Sequence, residues 1–377
     1  MKTVLLVFIV CFSFLLAPEK SSAQNTKAVL HFQRFQTPGL VPRPSWWKVR
    51  PEEITSIVRS VKKGNYEQIA TTPGGWPVWA VIYGGTTPKQ GTSSWASAAD
   101  SGSPQTYYTK GADAKQTVML LCCVHGAEPE SVAGSVNLIS LLETGKDLTG
   151  ESHPELVDLI SNYRLIIVPC LNMDGRSVSP DHLKGIDDTL FVRASQGIWK
   201  GGGTIGYPAC KGYTPLPMDK VEHPGGYVNA LGYNLMYDVV PGHLQNEGKG
   251  LLDLAAREQV DLMINMHSHE IGARVMGASY LDYPLHVART REYQQLVHDA
   301  LEKAGLRPNE VLPENSRSGI NLNTALTICS GGLALTFEQP TAAGWSFEES
   351  LKIYYTTIQA FLENGLKEPF SPRGRYR

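Results

Sequence analysis

Four segments of the chain are nearly continuous runs of apolar residues and have the length of β-strands. They span residues 117–124, 165–171, 260–266 and 333–337. An uninterrupted apolar run of this length is typical of a strand that is buried on both faces, as in a parallel sheet covered by helices. The runs therefore predict the central strands of a buried sheet.

Segments with helical spacing alternate with these runs. Two shorter strand-like segments precede the first run, at 67–71 and 78–83, with a Pro-Gly-Gly turn signal between them. Helices are predicted at residues 52–61, 131–142, 153–160, 250–259 and 293–304. This alternation favours an α/β sandwich with a largely parallel sheet. Because no stretch resembles an interdomain linker, we predict one domain over residues 49–377, preceded by an extended lead-in at 24–48.

The N-terminus has the order of segments that is typical of a secretory signal peptide. Lys2 is followed by the apolar run 4–17, and the small residues 21–23 offer a cleavage site. The run is short for a membrane-spanning helix, which needs about 20 residues, and no later segment is apolar enough to span. We therefore expect residues 1–23 to be removed and the protein to be secreted or periplasmic, without stable membrane insertion.

Composition narrows the classes of partner. The chain has 377 residues, a formal net charge of −2 and 42% hydrophobic residues. This supplies enough apolar surface for a core and no basic excess for nucleic acid. Of six cysteines, only Cys11 lies in the predicted signal peptide. An odd number then remains without a CxxC pair, which favours structural thiols over a disulfide framework. The oligomeric state stays open.

Side chains able to bind metal follow three of the four buried runs. His125 and Glu128 follow the first run, His267 follows the third, and Glu338 follows the fourth. Because ligands bind beyond the carboxyl ends of strands in open α/β sheets, we expect these side chains to converge. A catalytic zinc ion typically takes three such ligands and leaves one position for water. This predicts that His125, Glu128 and His267 bind one zinc ion and that Glu338 is the catalytic base.

At these residues the chain resembles the zinc carboxypeptidases typified by carboxypeptidase A. Residues 125–128 (His-Gly-Ala-Glu) match the first ligand pair of that family, and residues 267–268 match its third-ligand motif. Residues 336–338 match the strand with the catalytic glutamate, and residues 172–175 look like its Asn-Pro-Asp-Gly turn. The resemblance implies a three-layer α/β/α sandwich with a mixed, largely parallel sheet of about eight strands. It also implies one catalytic zinc ion and a peptide or peptide-like substrate.

The substrate-binding positions depart from the family pattern. Residues 227–238 fall in the register of a segment whose first arginine polarises the scissile carbonyl and whose later Asn-Arg pair holds the terminal carboxylate. Here Tyr227 and Tyr237 occupy the arginine positions, Met236 occupies the asparagine position, and Asn234 replaces an aspartate. We predict that Tyr227, Tyr237 and Asn234 contact the substrate. Because a phenol carries no fixed charge, a terminal carboxylate should be held weakly.

A long Gly/Pro-rich stretch, residues 197–226, is either a functional loop or a poorly ordered one. Lys200 within it and Arg193 beside it could supply the missing cation, and we include Lys200 among the predicted substrate-binding residues. His269 and Glu270 lie close to His267 in sequence. We interpret them as supporting or surface groups instead of metal ligands.

Two classes of function fit these residues. The first is a zinc-dependent, metallocarboxypeptidase-like peptidase that hydrolyses a peptide or amide bond at an atypical pocket; a zinc amidase or deacylase acting on cell-wall or modified peptides is its variant. The second is a catalytically degenerate zinc-binding protein. Glu338 favours an enzyme, because a binding protein needs no proton acceptor at that position. The residues do not identify the substrate.

Overall fold

The fold is given by a computed structural model of the chain. It describes residues 29–85, 89–90, 94–102, 109–110, 114–279, 284–311, 319–341 and 344–370. The predicted signal peptide, residues 1–23, lies outside these described residues.

Helices and strands alternate along most of the described chain. The helices are α1 (Pro51–Arg59), α2 (Trp95–Asp100), α3 (Glu130–Thr144), α4 (Pro154–Ser161), α5 (Met173–Val178), α6 (Asp188–Gln196), α7 (Asn246–Glu258), α8 (Pro284–Lys303), α9 (Leu322–Ser330) and α10 (Phe347–Lys367). The strands are β1 (Asn65–Thr71), β2 (Pro77–Tyr83), β3 (Lys89–Gln90), β4 (Thr109–Lys110), β5 (Thr117–Cys122), β6 (Arg164–Val168), β7 (Ile198–Trp199), β8 (Val221–His223), β9 (Leu262–Glu270), β10 (Arg274–Val275) and β11 (Leu333–Pro340).

The main sheet has seven strands in the described part of the chain, in the order β1-β2-β6-β5-β9-β11-β10. Strands β6, β5, β9 and β11 are parallel to one another, whereas β1, β2 and β10 pair antiparallel with their neighbours. The family resemblance implied about eight strands. The prediction of a mixed sheet with a parallel centre is confirmed.

Helices pack against this sheet in two groups. Helix α10 contacts α3, α4 and α8, and α3 also contacts α1, so these five form one layer. Helix α7 contacts α9 and strand β1 in a second layer. Every residue of β5 and β6 is buried between the layers. This explains why both strands read as continuous apolar runs and completes the predicted three-layer sandwich.

The described part of the lead-in is anchored to the domain. Trp47 is fully buried, and its Nε1 donates to the Asp181 carbonyl oxygen at 3.0 Å. Arg50 Nη2 forms an ion pair with the Asp181 carboxylate at 2.8 Å, and the Phe35 amide donates to the Val178 carbonyl. The loop after α5 therefore fixes the path of the lead-in. Within the described part of the chain, no helix has both the length and the apolar character needed to cross a bilayer.

Two carboxyl groups are buried at the start of α7, far along the chain from the predicted ligands. Glu247 is 0% exposed, and its Oε1 accepts from Asn229 Nδ2 at 3.1 Å. Asp238 is 1% exposed and accepts from the Gln245 amide at 2.9 Å. Burial raises the pKa of Glu247 to about 8, and the nearby charges of Asp174 and Asp238 add to this shift. Burial also raises the pKa of Asp238 to about 7.

Glu247→Gln is expected to make stability less dependent on pH. The pKa of Glu247 is raised in the folded state, so its protonated form stabilises the fold below about pH 4.5, and this contribution is lost as pH rises towards 8. Glutamine resembles the protonated acid at every pH. The wild-type protein should therefore lose on the order of 1–3 kcal/mol more stability than the variant between pH 5 and pH 8. Denaturant unfolding at several pH values measures this difference, and parallel profiles for the two proteins would contradict it.

Candidate metal centre and active site

The first two candidate ligands lie on a sharp turn after β5. Cys123, the residue that follows the strand, has a φ of 55°, which is uncommon for a residue with a Cβ. The turn also requires Gly126, because a Cβ there would lie 2.0 Å from the Gly175 carbonyl carbon. The Gly126 carbonyl oxygen accepts from Nη1 of the fully buried Arg176 at 2.5 Å. These contacts fix the backbone that carries His125 and Glu128.

Strand register brings the other two predicted residues to the same end of the sheet. Strand β9 lies between β5 and β11, and it is parallel to both. His267 on β9 is the direct partner of Glu338 on β11. On the other side of β9, Met266 is the partner of Cys122, the last residue of β5. The ends of three neighbouring strands therefore form one site.

His125, Glu128 and His267 converge in this site. Nδ1 of His125 lies 2.9 Å from Glu128 Oε1, and Nδ1 of His267 lies 2.9 Å from Glu128 Oε2. The two Nδ1 atoms are 3.2 Å apart. All three side chains are buried, and potential ligand atoms, one from each, lie within 4.8 Å of one another. In the described part of the chain, no other group of three or more histidine, cysteine or acidic side chains is close enough to bind one metal ion.

This arrangement fits zinc. Zinc binds histidine nitrogen at about 2.0–2.1 Å and carboxylate oxygen at about 2.0–2.2 Å, so tetrahedral ligand atoms are separated by about 3.3 Å. The separations of 2.9–3.2 Å in the cluster are close to that value. Two imidazole nitrogens that face one carboxylate and each other are also the donor set that the metal prefers.

The electrostatics of the cluster agree with a metal site. Burial lowers the pKa of His125 to about 4, despite the nearby Glu128 carboxylate, so the imidazole is neutral at pH 7. Burial alone would raise the pKa of Glu128, but His125 and His267 hold it well below its usual range. Burial lowers the pKa of His267, but the Glu128 carboxylate raises it more, so the net pKa lies above its ordinary value.

Asn234 lies behind His125 and is not part of the cavity lining. Its Oδ1 is 3.3 Å from His125 Nε2 and also accepts from the Met236 amide at 3.0 Å. Its Nδ2 donates to the Cys210 carbonyl oxygen at 3.0 Å. An acceptor at Nε2 keeps the proton on that nitrogen and leaves Nδ1 for the metal. Asn234 was predicted to contact the substrate; its contacts in the structure are with His125, Met236 and Cys210, and substrate contact stays a prediction.

Tyr227 also packs against His125. Its ring centroid lies 4.3 Å from that of His125 at an interplanar angle of 79°, and its side chain is 2% exposed. Burial raises the pKa of Tyr227 well above its usual range, and the nearby carboxylates of Glu128 and Glu338 raise it further. The ring therefore stays a neutral phenol that supports the histidine, and the cavity lining does not include it.

A cavity of about 170 Å³ adjoins the metal ligands. Its lining includes His125, His267, Glu338, Tyr237 and Lys211. The other lining residues are uncharged: Met236, Met276, Gly277, Ala278, Ser279, Thr290, Asn321, Asn323, Ala334, Leu335 and Thr336. The structure thus brings the predicted base, Glu338, and one of the two predicted tyrosines, Tyr237, into the space next to the metal ligands.

The predicted cations are not part of this lining. Lys200 Nζ donates to the Asp219 carbonyl oxygen at 2.7 Å, and Arg193 Nη1 donates to the Gly202 carbonyl oxygen at 3.0 Å. Both side chains bind the backbone of the loop that carries them. Lys200 as a substrate-binding residue therefore stays a prediction, and in this structure its ammonium group binds the loop backbone. The side chains of His269 and Glu270 lie outside the described part of the structure.

Lys211 is a cation that lines the cavity and that the sequence did not predict. It ends a short 3₁₀ turn, Ala209–Lys211, inside the loop closed by the β7–β8 pair. Its Nζ lies 5.2 Å from the centroid of the Tyr227 ring. Lys211 is therefore next to the position where the family motif has its first arginine, although it comes from another part of the chain. Nothing in the sequence around Lys211 distinguishes it from Lys200.

Comparisons with known proteins agree with this site. A sequence model of the zinc carboxypeptidase family matches residues 62–196, which include His125 and Glu128. No curated protein sequence matches the chain.

Solved structures with a similar fold and low sequence identity include several that are named as carboxypeptidases. One is a metallo-carboxypeptidase from Burkholderia cenocepacia, 15% identical, with 84% of this chain and 69% of that chain covered and a TM-score of 0.53. Another, from Pseudomonas aeruginosa in complex with (2-guanidinoethylmercapto)succinic acid, is 14% identical over 84% of this chain and 68% of that chain, with a TM-score of 0.50. The carboxypeptidase A from Helicoverpa armigera is 14% identical over 87% of this chain and 76% of that chain, also at 0.50.

The fold and the metal centre define a zinc-dependent hydrolase of the metallocarboxypeptidase type. Over residues 62–196 the chain is similar to the zinc carboxypeptidase family, in agreement with its motifs. Zinc is therefore the cofactor that the cluster of His125, Glu128 and His267 is built to hold.

Proposed function

We propose that this protein is a carboxypeptidase that hydrolyses the peptide bond next to a free C-terminal carboxylate. One observation carries the proposal. One cavity of about 170 Å³ is lined by two of the candidate metal ligands, by the carboxylate of Glu338 and by the ammonium group of Lys211. A metal centre, a proton acceptor and an anchor for a negative charge are the parts that this reaction needs.

The protein supplies orientation and proton transfer around the metal. Zinc, when bound, lowers the pKa of a water molecule and polarises a carbonyl group. Asn234 and Tyr227 hold the His125 ring in place through a hydrogen bond and an edge-on contact. Glu338, opposite His267 in the strand register, accepts the proton of the attacking water and passes it to the leaving amine.

Lys211 is the group that suits a terminal carboxylate. Among the described residues that line the cavity, it is the only lysine or arginine. Met236 and Tyr237, at the carboxylate-binding positions of the motif, carry no charge. Since polarisation of the scissile carbonyl is the task of the metal, the charge of Lys211 can bind the carboxylate. A lysine is a single flexible cation without the bidentate fork of arginine. We therefore expect a terminal carboxylate to be bound by one charge-assisted hydrogen bond, with the Tyr237 hydroxyl beside it.

This proposal revises the sequence-based expectation of weak carboxylate binding. A charge-assisted hydrogen bond contributes about 1.5–3 kcal/mol and a neutral one about 0.5–1.5 kcal/mol. The difference corresponds to a preference of about tenfold or more for a free acid over an amide-capped end. Two peptides of the same sequence, one with a free C-terminus and one amide-capped, provide the substrates. The comparison of kcat/KM is made on the wild-type protein and on Lys211→Gln.

The wild type should prefer the free acid, and Lys211→Gln should lose most of this preference while it retains zinc. Lys211→Arg should keep the preference because it keeps the charge. Lys200→Gln is the matched control, since it removes a lysine of the same loop that lies outside the cavity lining. Equal cleavage of both peptides by the wild type would reject the carboxypeptidase proposal and favour an amidase.

A further inference from the structure

A buried ion pair lies next to the metal ligands but does not line the cavity. Glu130 begins α3, two residues after Glu128, and is 1% exposed. Its Oε2 accepts from Ser268 Oγ at 2.7 Å, and its Oε1 accepts from Thr341 Oγ1 at 2.7 Å. Both hydroxyl-bearing residues are fully buried. The Glu130 carboxylate thus joins α3 to the ends of β9 and β11.

Lys184 is the cationic partner of this carboxylate. Its Nζ lies 3.9 Å from Glu130 Oε1, and it donates to Ser350 Oγ on α10 at 2.8 Å. The ammonium group also lies 5.7 Å from the Trp47 ring centroid and 5.6 Å from that of Phe347. Lys184 is 4% exposed. The lead-in and the C-terminal helix therefore both contact a charge whose counterion is Glu130.

Such a pair needs an explanation beyond stability. Removing two charges from water costs several kcal/mol for each ion. A protein with apolar residues of similar volume in place of the pair is often equally stable. The metal centre offers the explanation, because the hydrogen bonds of Glu130 lead directly to it. Ser268, held by Glu130 through its hydroxyl, donates its backbone amide to Glu128 Oε2 at 3.2 Å. The same oxygen lies 2.9 Å from His267 Nδ1.

We propose that Glu130, with Lys184 as its counterion, is a positioning residue for the zinc ligand Glu128 and acts through Ser268. The Glu130 carboxylate fixes the end of β9, and the Ser268 amide then fixes the rotation of the ligand carboxylate. Glu128 can turn about its own side-chain bonds when that amide moves, so its oxygens would no longer face both imidazoles. Replacing a group that orients a metal ligand in this way typically lowers metal affinity about 10–100-fold. The inference rests on the metal centre and not on the identity of the substrate.

Zinc affinity, measured on the full protein without substrate by competition with a chelator, tests the proposal. Ser268→Ala removes the hydroxyl that Glu130 holds, and Glu130→Gln removes the charge. Both should weaken zinc binding about 10–100-fold, and the visible spectrum of the cobalt-substituted protein should change. Ser268→Thr keeps the hydroxyl and should restore much of the affinity. Thermal unfolding of the metal-free proteins shows whether the fold itself is altered.

Ser135→Ala is the matched control for the loss of a buried hydroxyl. Ser135 lies on α3, the helix that Glu130 begins; it is fully buried and its hydroxyl donates to the Val132 carbonyl oxygen. Zinc affinity within twofold of wild type for Ser268→Ala would overturn the proposal. An equal loss of affinity in Ser135→Ala would also overturn it, because the effect would then be a general one of packing. If Glu130→Gln fails to fold, the two Ser268 variants still decide the question. Failure of the wild type itself to bind zinc would instead reject the metal centre.

Discussion

Replacing His267 with alanine is expected to abolish stoichiometric zinc while the fold persists. The wild-type protein should carry about one zinc ion per chain, because a catalytic site of this kind uses three protein ligands. Loss of one imidazole leaves His125 and Glu128, two residues of the same turn, as the remaining pair. Hydrolysis should fall to background, since the metal supplies the activation of water. Elemental analysis of dialysed protein measures the metal, and circular dichroism monitors the fold.

The same outcome is expected for His125→Ala, which removes the ligand that Asn234 and Tyr227 orient. His153→Ala is a suitable control, because His153 is the residue before α4 and pairs with Asp147, which is not a candidate ligand. It should keep full zinc. One zinc ion per chain in both the His125 and the His267 variants would show that the ligand set has been assigned incorrectly.

Much of the fold could be predicted because its centre is buried on both faces. β5 and β6 are buried at every position, so their apolar runs marked them clearly, and the ends differ by a few residues. β9 is different, because it continues through His267 to Glu270 although the predicted run ends at 266. The polar continuation of the strand includes His267, which lies against Glu128, and Ser268, whose amide donates to Glu128. A pattern of apolar residues cannot follow a strand into an active site.

Two helices have capping residues in their sequence that the hydrophobic pattern alone does not reveal. α10 was not predicted, although Ser346 caps it and Glu349 completes a capping box. That spacing of Ser and Glu before an apolar segment is itself a sign of a helix start. α9 begins with an Asn321 cap, another sign of this kind. Short strands such as β10 form only because a neighbouring strand is present to pair with them.

The site was predictable where one motif carries its own geometry. His125 and Glu128 are three residues apart, so one turn places both of them. Lys211 could not be found in this way, because nothing in the local sequence distinguishes it from Lys200. It reaches the cavity because the β7–β8 pair closes the loop and the 3₁₀ turn directs its stem over Tyr227. The roles of Asn234 and Tyr227 likewise depend on their tertiary contacts with His125.

Glu338→Gln is expected to reduce kcat by about 10²–10⁴-fold, the range for loss of a general acid–base group. The side chain lines the cavity and belongs to the residue paired with His267 in the β9–β11 register. Glutamine has nearly the same shape but cannot accept the proton of the attacking water or return it to the leaving amine. Since Glu338 is not a metal ligand, zinc content and unfolding temperature should stay at wild-type values. Steady-state kinetics on a peptide that the wild-type protein cleaves measures the loss.

The control separates the proton acceptor from the mere removal of a charge. Glu222→Gln changes an exposed carboxylate on β8 and should leave kcat unchanged. If Glu338→Gln instead keeps near-wild-type turnover with its zinc in place, another group must take the proton, and Glu270 at the end of β9 is the first to examine. Loss of zinc together with turnover would also contradict the assignment, because it would make Glu338 part of the metal site. Only retained metal with lost turnover identifies this carboxylate as the base.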